Sequence, residues 1–139
     1  MNILAFIIGI FVSILVILHF KKTRLESSKF GYSFLLITFP FYYFIFAVYG
    51  NDYAAIPLEF MGGLVFFVIA IYSLKFSDFY KFIFLASGYI LHGIYDVTHN
   101  MFFFNAGTPI WWPEFCGVVD IILGLYLLTL AFRFRVKVA

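Results

Sequence analysis

Residues 3–20 read ILAFIIGIFVSILVILHF, and the chain then breaks into Lys21-Lys22-Thr23-Arg24. No Asp, Glu, Lys or Arg interrupts the run before that basic stop. An α-helix needs about 20 mainly apolar residues to cross the hydrocarbon core of a bilayer. A helix on the surface of a soluble domain would show a polar face, and this one has none. The stretch therefore predicts a membrane span that ends on cations at the headgroup level. No basic n-region precedes it and no small-x-small cleavage site follows, so it reads as a retained span rather than a signal peptide.

The same pattern recurs along the chain. Apolar runs over about 32–49, 56–74, 80–98 and 110–132 alternate with turn chemistry such as Gly50-Asn51-Asp52. Charged residues make up 12% of the chain, apolar residues 65% and aromatic residues 24%. Soluble domains are about a quarter charged, and a chain this short could not hide so much apolar side chain from water. Lipid-exposed backbone must satisfy its own hydrogen bonds, which favours helices. The fold expected is an all-α, polytopic integral membrane protein of five transmembrane helices, with residues 1–139 forming one bundle.

Charge sets the expected orientation. All nine Lys and Arg lie within residues 21–29, at 75 and 81, or within 133–137. In a five-span chain those places share one side, so the positive-inside rule puts the N-terminus outside and the C-terminus in the cytoplasm. Glu26 and Asp78 accompany the bases, whereas Asp52, Glu59, Asp96, Glu114 and Asp120 map to the outer half. A formal charge of +2 is too small to suggest a nucleic-acid partner. One cysteine excludes an internal disulfide and a Cys-based zinc cage, and Cys116 reads as packing. A short multi-pass chain of this kind suits a cell membrane such as the bacterial inner membrane.

Ionisable residues inside a span are costly and face the bundle interior or a water-filled cavity. His92, Asp96 and His99 follow one another at i, i+4 and i+7, so at about 100° per residue they form one stripe. With a rise of about 1.5 Å per residue, His92 lies about 12 Å inside Asn100, too deep for an imidazole to snorkel. In the last span, Asp120 sits about two turns deeper than Glu114 and shares a stripe with Gly117 and Gly124. Small side chains there permit close approach of a neighbouring helix, so His92 and Asp120 are expected to meet. The reading is an inner layer of His92, Asp96 and Asp120 beneath an outer layer of His99, Glu59 and Glu114.

Two chemistries fit this set. In the first, His92, Asp96 and Asp120 transfer protons in a low-dielectric pocket, assisted by Glu59 and Glu114, with no cofactor. The substrate would be a hydrophobic small molecule, a lipid or isoprenoid, isomerised or cyclised through a protonated double bond. In the second, His92, Asp96, His99 and Asp120 ligate a divalent metal such as Zn, which serves hydrolysis, binding or transport. Buried His–Asp pairs also tie helices together without any chemistry, at below about 1 kcal/mol per contact. Trp111 and Trp112 mark the outer interface, where indoles favour the headgroup level. With His99 and Asn100 they are candidate substrate-binding residues at the mouth. Membrane lipids are expected partners, and a homo-oligomer is left open.

Pro57-Leu58-Glu59 is similar to the Pro-x-Glu motif of membrane-bound carotenoid (lycopene) cyclases, although Phe60 stands where that motif continues with a second carboxylate. His92-x-x-x-Asp96 resembles the His/acid helix pairing of sterol isomerases. Each likeness covers only a few residues. What they imply is an intramembrane acid acting on a polyene or sterol-like molecule, and they place acid–base chemistry slightly ahead of metal chemistry.

Overall fold

The computed structural model describes residues 2–138, with side chains through Phe134. It holds five α-helices: α1 (Ile3–Lys22), α2 (Gly31–Tyr49), α3 (Ala55–Ser73), α4 (Asp78–Phe102) and α5 (Trp112–Val138). A short 3-10 turn, Leu25–Ser27, joins α1 to α2. No strand occurs among the described residues. Four helices, α1, α2, α3 and α5 through Phe134, are long and apolar enough to cross a membrane. Large apolar side chains such as Ile3, Phe11, Phe34, Met61 and Val68 stand exposed on their outer faces. In water that surface would be untenable, and in lipid it is the expected exterior. The chain is a multi-pass membrane protein.

The remaining helix, α4, is 25 residues long but more polar than the others. Its polarity is turned inward. His92, Asp96 and His99 are buried together with Gly88, Tyr89 and Gly93, while Leu91, Ile94 and Val97 are exposed. A helix enclosed on one face can carry ionisable groups that a lipid-facing helix cannot. It packs most extensively on α5 and also touches α3 and α2. On the far side of α5 lies α1, which buries only Ala5, Gly9 and Ser13, one small residue per turn.

Helix ends follow local chemistry. Asn2 caps α1 through its side-chain oxygen, which accepts from Ala5 N at 3.0 Å. Asn51 supplies a positive φ of 54° in the turn between α2 and α3, a conformation Asn tolerates well. Pro113 in the first turn of α5 needs no backbone donor there. The fourth helix outruns the sequence expectation by continuing from Thr98 to Phe102, because no Gly or Pro interrupts it before Gly107. The fifth starts at Trp112 rather than Ile110, leaving Ile110 and Trp111 in the preceding turn.

The core divides by depth. Its inner half is apolar, built from Leu36, Phe82, Leu85, Tyr89, Leu123 and Leu127. The other half, which the sequence reading places toward the outer face, is polar and is covered by the connection between α4 and α5. Asn105 turns inward from that connection and donates to Tyr43 O at 3.1 Å and to Glu59 Oε1 at 2.7 Å. Ala106 N donates to Asp52 Oδ2 at 3.1 Å. Gly107 presses so tightly on α2 that an added Cβ would lie 1.6 Å from Phe46 O. The connection is a cap strapped to the end of α2, and only glycine fits where it touches.

Candidate functional site: a buried His/Asp/Cys centre

The close meeting of α4 and α5 starts at Gly93. A Cβ there would stand 2.9 Å from Gly117 O and 3.1 Å from the Asp120 Cβ. With no side chain in the way, the two backbones approach until residues one turn apart face each other. His92 Nδ1 then lies 2.6 Å from Asp120 Oδ2 and 3.3 Å from Asp96 Oδ2. The other Asp96 oxygen, Oδ1, accepts from the Tyr43 hydroxyl of α2 at 2.8 Å. Cys116, one turn before Asp120, completes the group. One ligand atom from each of His92, Asp96, Cys116 and Asp120 lies within 4.8 Å of the others, and all four residues are buried.

This centre is under-satisfied as it stands. Asp120 Oδ1 and His92 Nε2 have no hydrogen-bond partner, and Asp96 Oδ2 has only the 3.3 Å approach of His92 Nδ1, though each is buried. An isolated buried carboxylate oxygen is expensive unless it is paired, hydrogen-bonded or bound to a metal. Two carboxylates and one imidazole carry one uncompensated negative charge even with the imidazole protonated. Only a further proton or a cation removes it. Aromatic rings close the other sides: Phe66 stands edge-on to His92 at 4.5 Å and Phe39 lies at 5.6 Å. Tyr43, Trp112 and Cys116 pack together above it.

The outer layer is a separate and fully paired network. Glu59 Oε1 accepts from Asn105 Nδ2 at 2.7 Å and faces His99 Nε2 at 2.9 Å. Its Oε2 takes the Tyr95 hydroxyl at 3.3 Å. The His99 ring stacks on Tyr43 with centroids 4.4 Å apart. Tyr43 thus holds both layers, its ring against His99 and its hydroxyl on Asp96. No hydrogen-bonded chain joins the two layers, because that contact is a ring stack.

The sequence candidates divide accordingly. His92, Asp96 and Asp120 come together in the inner layer, and His99 and Glu59 in the outer one. Glu114 lies elsewhere, facing the start of α1, where Oε1 accepts from Asn2 N at 3.2 Å. Trp112 roofs the centre, whereas Trp111 is partly exposed and packs on Phe115. Asn100 is exposed and approaches only His99, at 3.4 Å. His99 serves Glu59 and not the four-residue group, so it leaves the expected ligand set. Cys116 packs with Tyr43 and Trp112, as expected, and its sulfur also falls within the four-residue group. Its signal was present in Cys116-x-x-x-Asp120, the same i, i+4 spacing as His92-x-x-x-Asp96. Tyr43 and Asn105 carried no comparable signal.

Asp96, Asp120 and Glu59 are buried in the bundle and do not face open space. An apolar groove of about 510 Å³ runs between α3 and α4 on the bilayer-facing side, with Leu58, Met61, Val65 and Leu91 in its walls. Phe66 and Tyr95 belong to its lining and to the surroundings of His92, so they stand between groove and centre. No protein-family model, curated protein or solved structure matches this chain. The donor set and its burial are therefore what speak to function.

Proposed function

We propose that this protein binds a divalent transition-metal ion of the zinc class within the membrane, using His92, Asp96, Cys116 and Asp120. The observation that carries the reading is the four-donor group itself, within 4.8 Å and buried. One imidazole nitrogen, one sulfur and two carboxylate oxygens are donors that zinc accepts in tetrahedral sites. Thiolate and imidazole together disfavour magnesium and calcium, which prefer all-oxygen sets. With His92 neutral, a divalent cation would offset the two carboxylates and give the orphaned oxygens a partner, and a Cys116 thiolate would leave the loaded centre with one negative charge. Tyr43, donating to Asp96, would orient that carboxylate as outer hydrogen bonds orient metal ligands generally.

Metal analysis of detergent-purified protein, after zinc loading and gel filtration, tests this. Wild-type protein is expected to retain close to one ion per chain. Even outer hydrogen-bond partners of a metal contribute about 10–100-fold in affinity, so Asp120→Asn and Cys116→Ala should weaken retention by at least about 100-fold. Glu114→Gln should retain the ion. Absence of metal from wild type, or equal content in all variants, sinks the reading.

One observation favours a second reading, metal-free acid–base chemistry on a lipid or isoprenoid. The α3–α4 groove brings apolar space to within one aromatic side chain of His92. That chemistry requires Phe66 or Tyr95 to move aside, and a metal-free wild-type protein would leave it as the stronger account.

We also propose that the basic face is cytoplasmic, in a cell membrane, with the centre nearer the outer leaflet. The support is the confinement of all nine Lys and Arg to one side of the five-span arrangement. In a Cys116→Ser background, Tyr53→Cys should react with an impermeant thiol reagent added to intact cells. Lys22→Cys should stay unlabelled, and the reverse pattern would invert the topology.

A further inference from the structure

At the opposite end of the bundle, the 3-10 turn and the last turns of α5 enclose a cavity of about 810 Å³. Its lining has two characters. Glu26, Ser27, Thr129 and Arg133 give it a polar side, and Leu130, Phe132 and Phe134 give it an apolar one. These apolar residues lie where the hydrophobic run of the last span gives way to Arg133, Arg135 and Lys137 in the sequence, so the cavity is placed at the headgroup level. The one acid in it, Glu26, accepts the Tyr126 hydroxyl, a bond that leaves its charge in the lining for Arg133 and the neighbouring bases to outweigh. Lys21 stands over the same tyrosine, its Nζ 5.8 Å from the ring centroid. Arg133 is exposed and forms no ion pair among the described residues.

We propose that this cavity binds the phosphate of an anionic phospholipid, with Arg133 as its principal contact. A guanidinium offers a planar fork of donors that matches a phosphate. Charge complementarity extends beyond that residue, since Lys21 and Lys22 end α1 and Arg24 immediately precedes the 3-10 turn that carries Glu26. Basic pockets at helix ends next to the bilayer hold anionic headgroups for this reason. The apolar half distinguishes a lipid from a free anion. Leu130, Phe132 and Phe134 would meet the start of the acyl chains, whereas inorganic phosphate would have no use for them. The site is independent of the metal centre, which lies at the other end of α5.

Native mass spectrometry of the full chain, released from detergent after incubation with phosphatidylglycerol or phosphatidylcholine, provides the test. Wild-type protein should retain phosphatidylglycerol preferentially. Arg133→Gln should reduce that retention by about tenfold, as expected for loss of a charge-assisted contact. Arg133→Lys should be intermediate, because it keeps the charge and loses the fork. Lys75→Gln, on the same face but outside the cavity, should behave as wild type. Helix content by circular dichroism must match across the set, which separates lost binding from lost folding. Equal retention of the two lipids, or equal loss in the Arg133 and Lys75 variants, overturns the proposal. Complete displacement of the lipid by millimolar inorganic phosphate overturns it too, because the cavity would then be a soluble-anion site.

Discussion

Asp120→Ala is expected to lower the unfolding free energy by about 3–5 kcal/mol, the usual consequence of removing one partner from a buried ion pair. His92 would keep only Asp96, at 3.3 Å in place of 2.6 Å. The lost side chain would also leave a space that lipid and water cannot easily fill, since the residue is fully buried. Denaturation in mixed micelles measures the change, and Asn100→Ala, at an exposed position, should stay within about 0.5 kcal/mol of wild type. Zinc adds a second measurement on the same samples. At 100 times its dissociation constant a bound ion stabilises the folded state by about 2.7 kcal/mol, and Asp120→Ala should lose that increment as well. An Asp120→Ala protein as stable as wild type would show that the pair is not charged and that the centre is ordinary packing.

The second large effect concerns access. Cys116 is the sole cysteine and lies buried beneath Tyr43 and Trp112, so its reaction with a small membrane-permeant thiol reagent reports opening of the outer end. Glu59→Ala removes the acceptor shared by His99, Asn105 and Tyr95. Each orphaned buried donor costs about 1–3 kcal/mol, and the strap that holds the cap against α3 disappears. Opening of the cap should become more frequent, and thiol modification should accelerate by about tenfold or more, which corresponds to only about 1.4 kcal/mol. Glu59→Gln should fall between the two, because its amide oxygen still accepts from Asn105 while its nitrogen offers His99 a different pairing. An unchanged rate in Glu59→Ala would mean that the thiol is reached by another route, such as the groove behind Phe66.

Both expectations join residues far apart in the chain, and the sequence announced them unequally. Residues 3–20 could be read at once because a bilayer selects on composition and length, which are local properties. The same holds for the stripe on α4, since a helix of known pitch places His92, Asp96 and His99 on one face whatever surrounds it. Close approach of α4 to α5 was legible in Gly117 and Gly124, which leave no side chain to hold the helices apart. Glu114 shows the limit. Its motif matches that of Glu59, Glu-Phe before a glycine, yet one faces His99 and the other the backbone of Asn2. A motif sets depth in the membrane and not the direction in which a helix face points.

What the sequence determined by itself was the membrane-helical fold and the shared face of His92, Asp96 and His99 on α4. Period and hydropathy along a single segment decide both. Only the tertiary structure decided which helix faces close the centre. It replaced His99 by Cys116 in the candidate donor set, added Tyr43 from α2, and sent Asn105 inward to seal the outer end. Those choices depend on how helices rotate against one another and on where a connection folds back. They are set by the sum of weak contacts across the bundle, which no local pattern records.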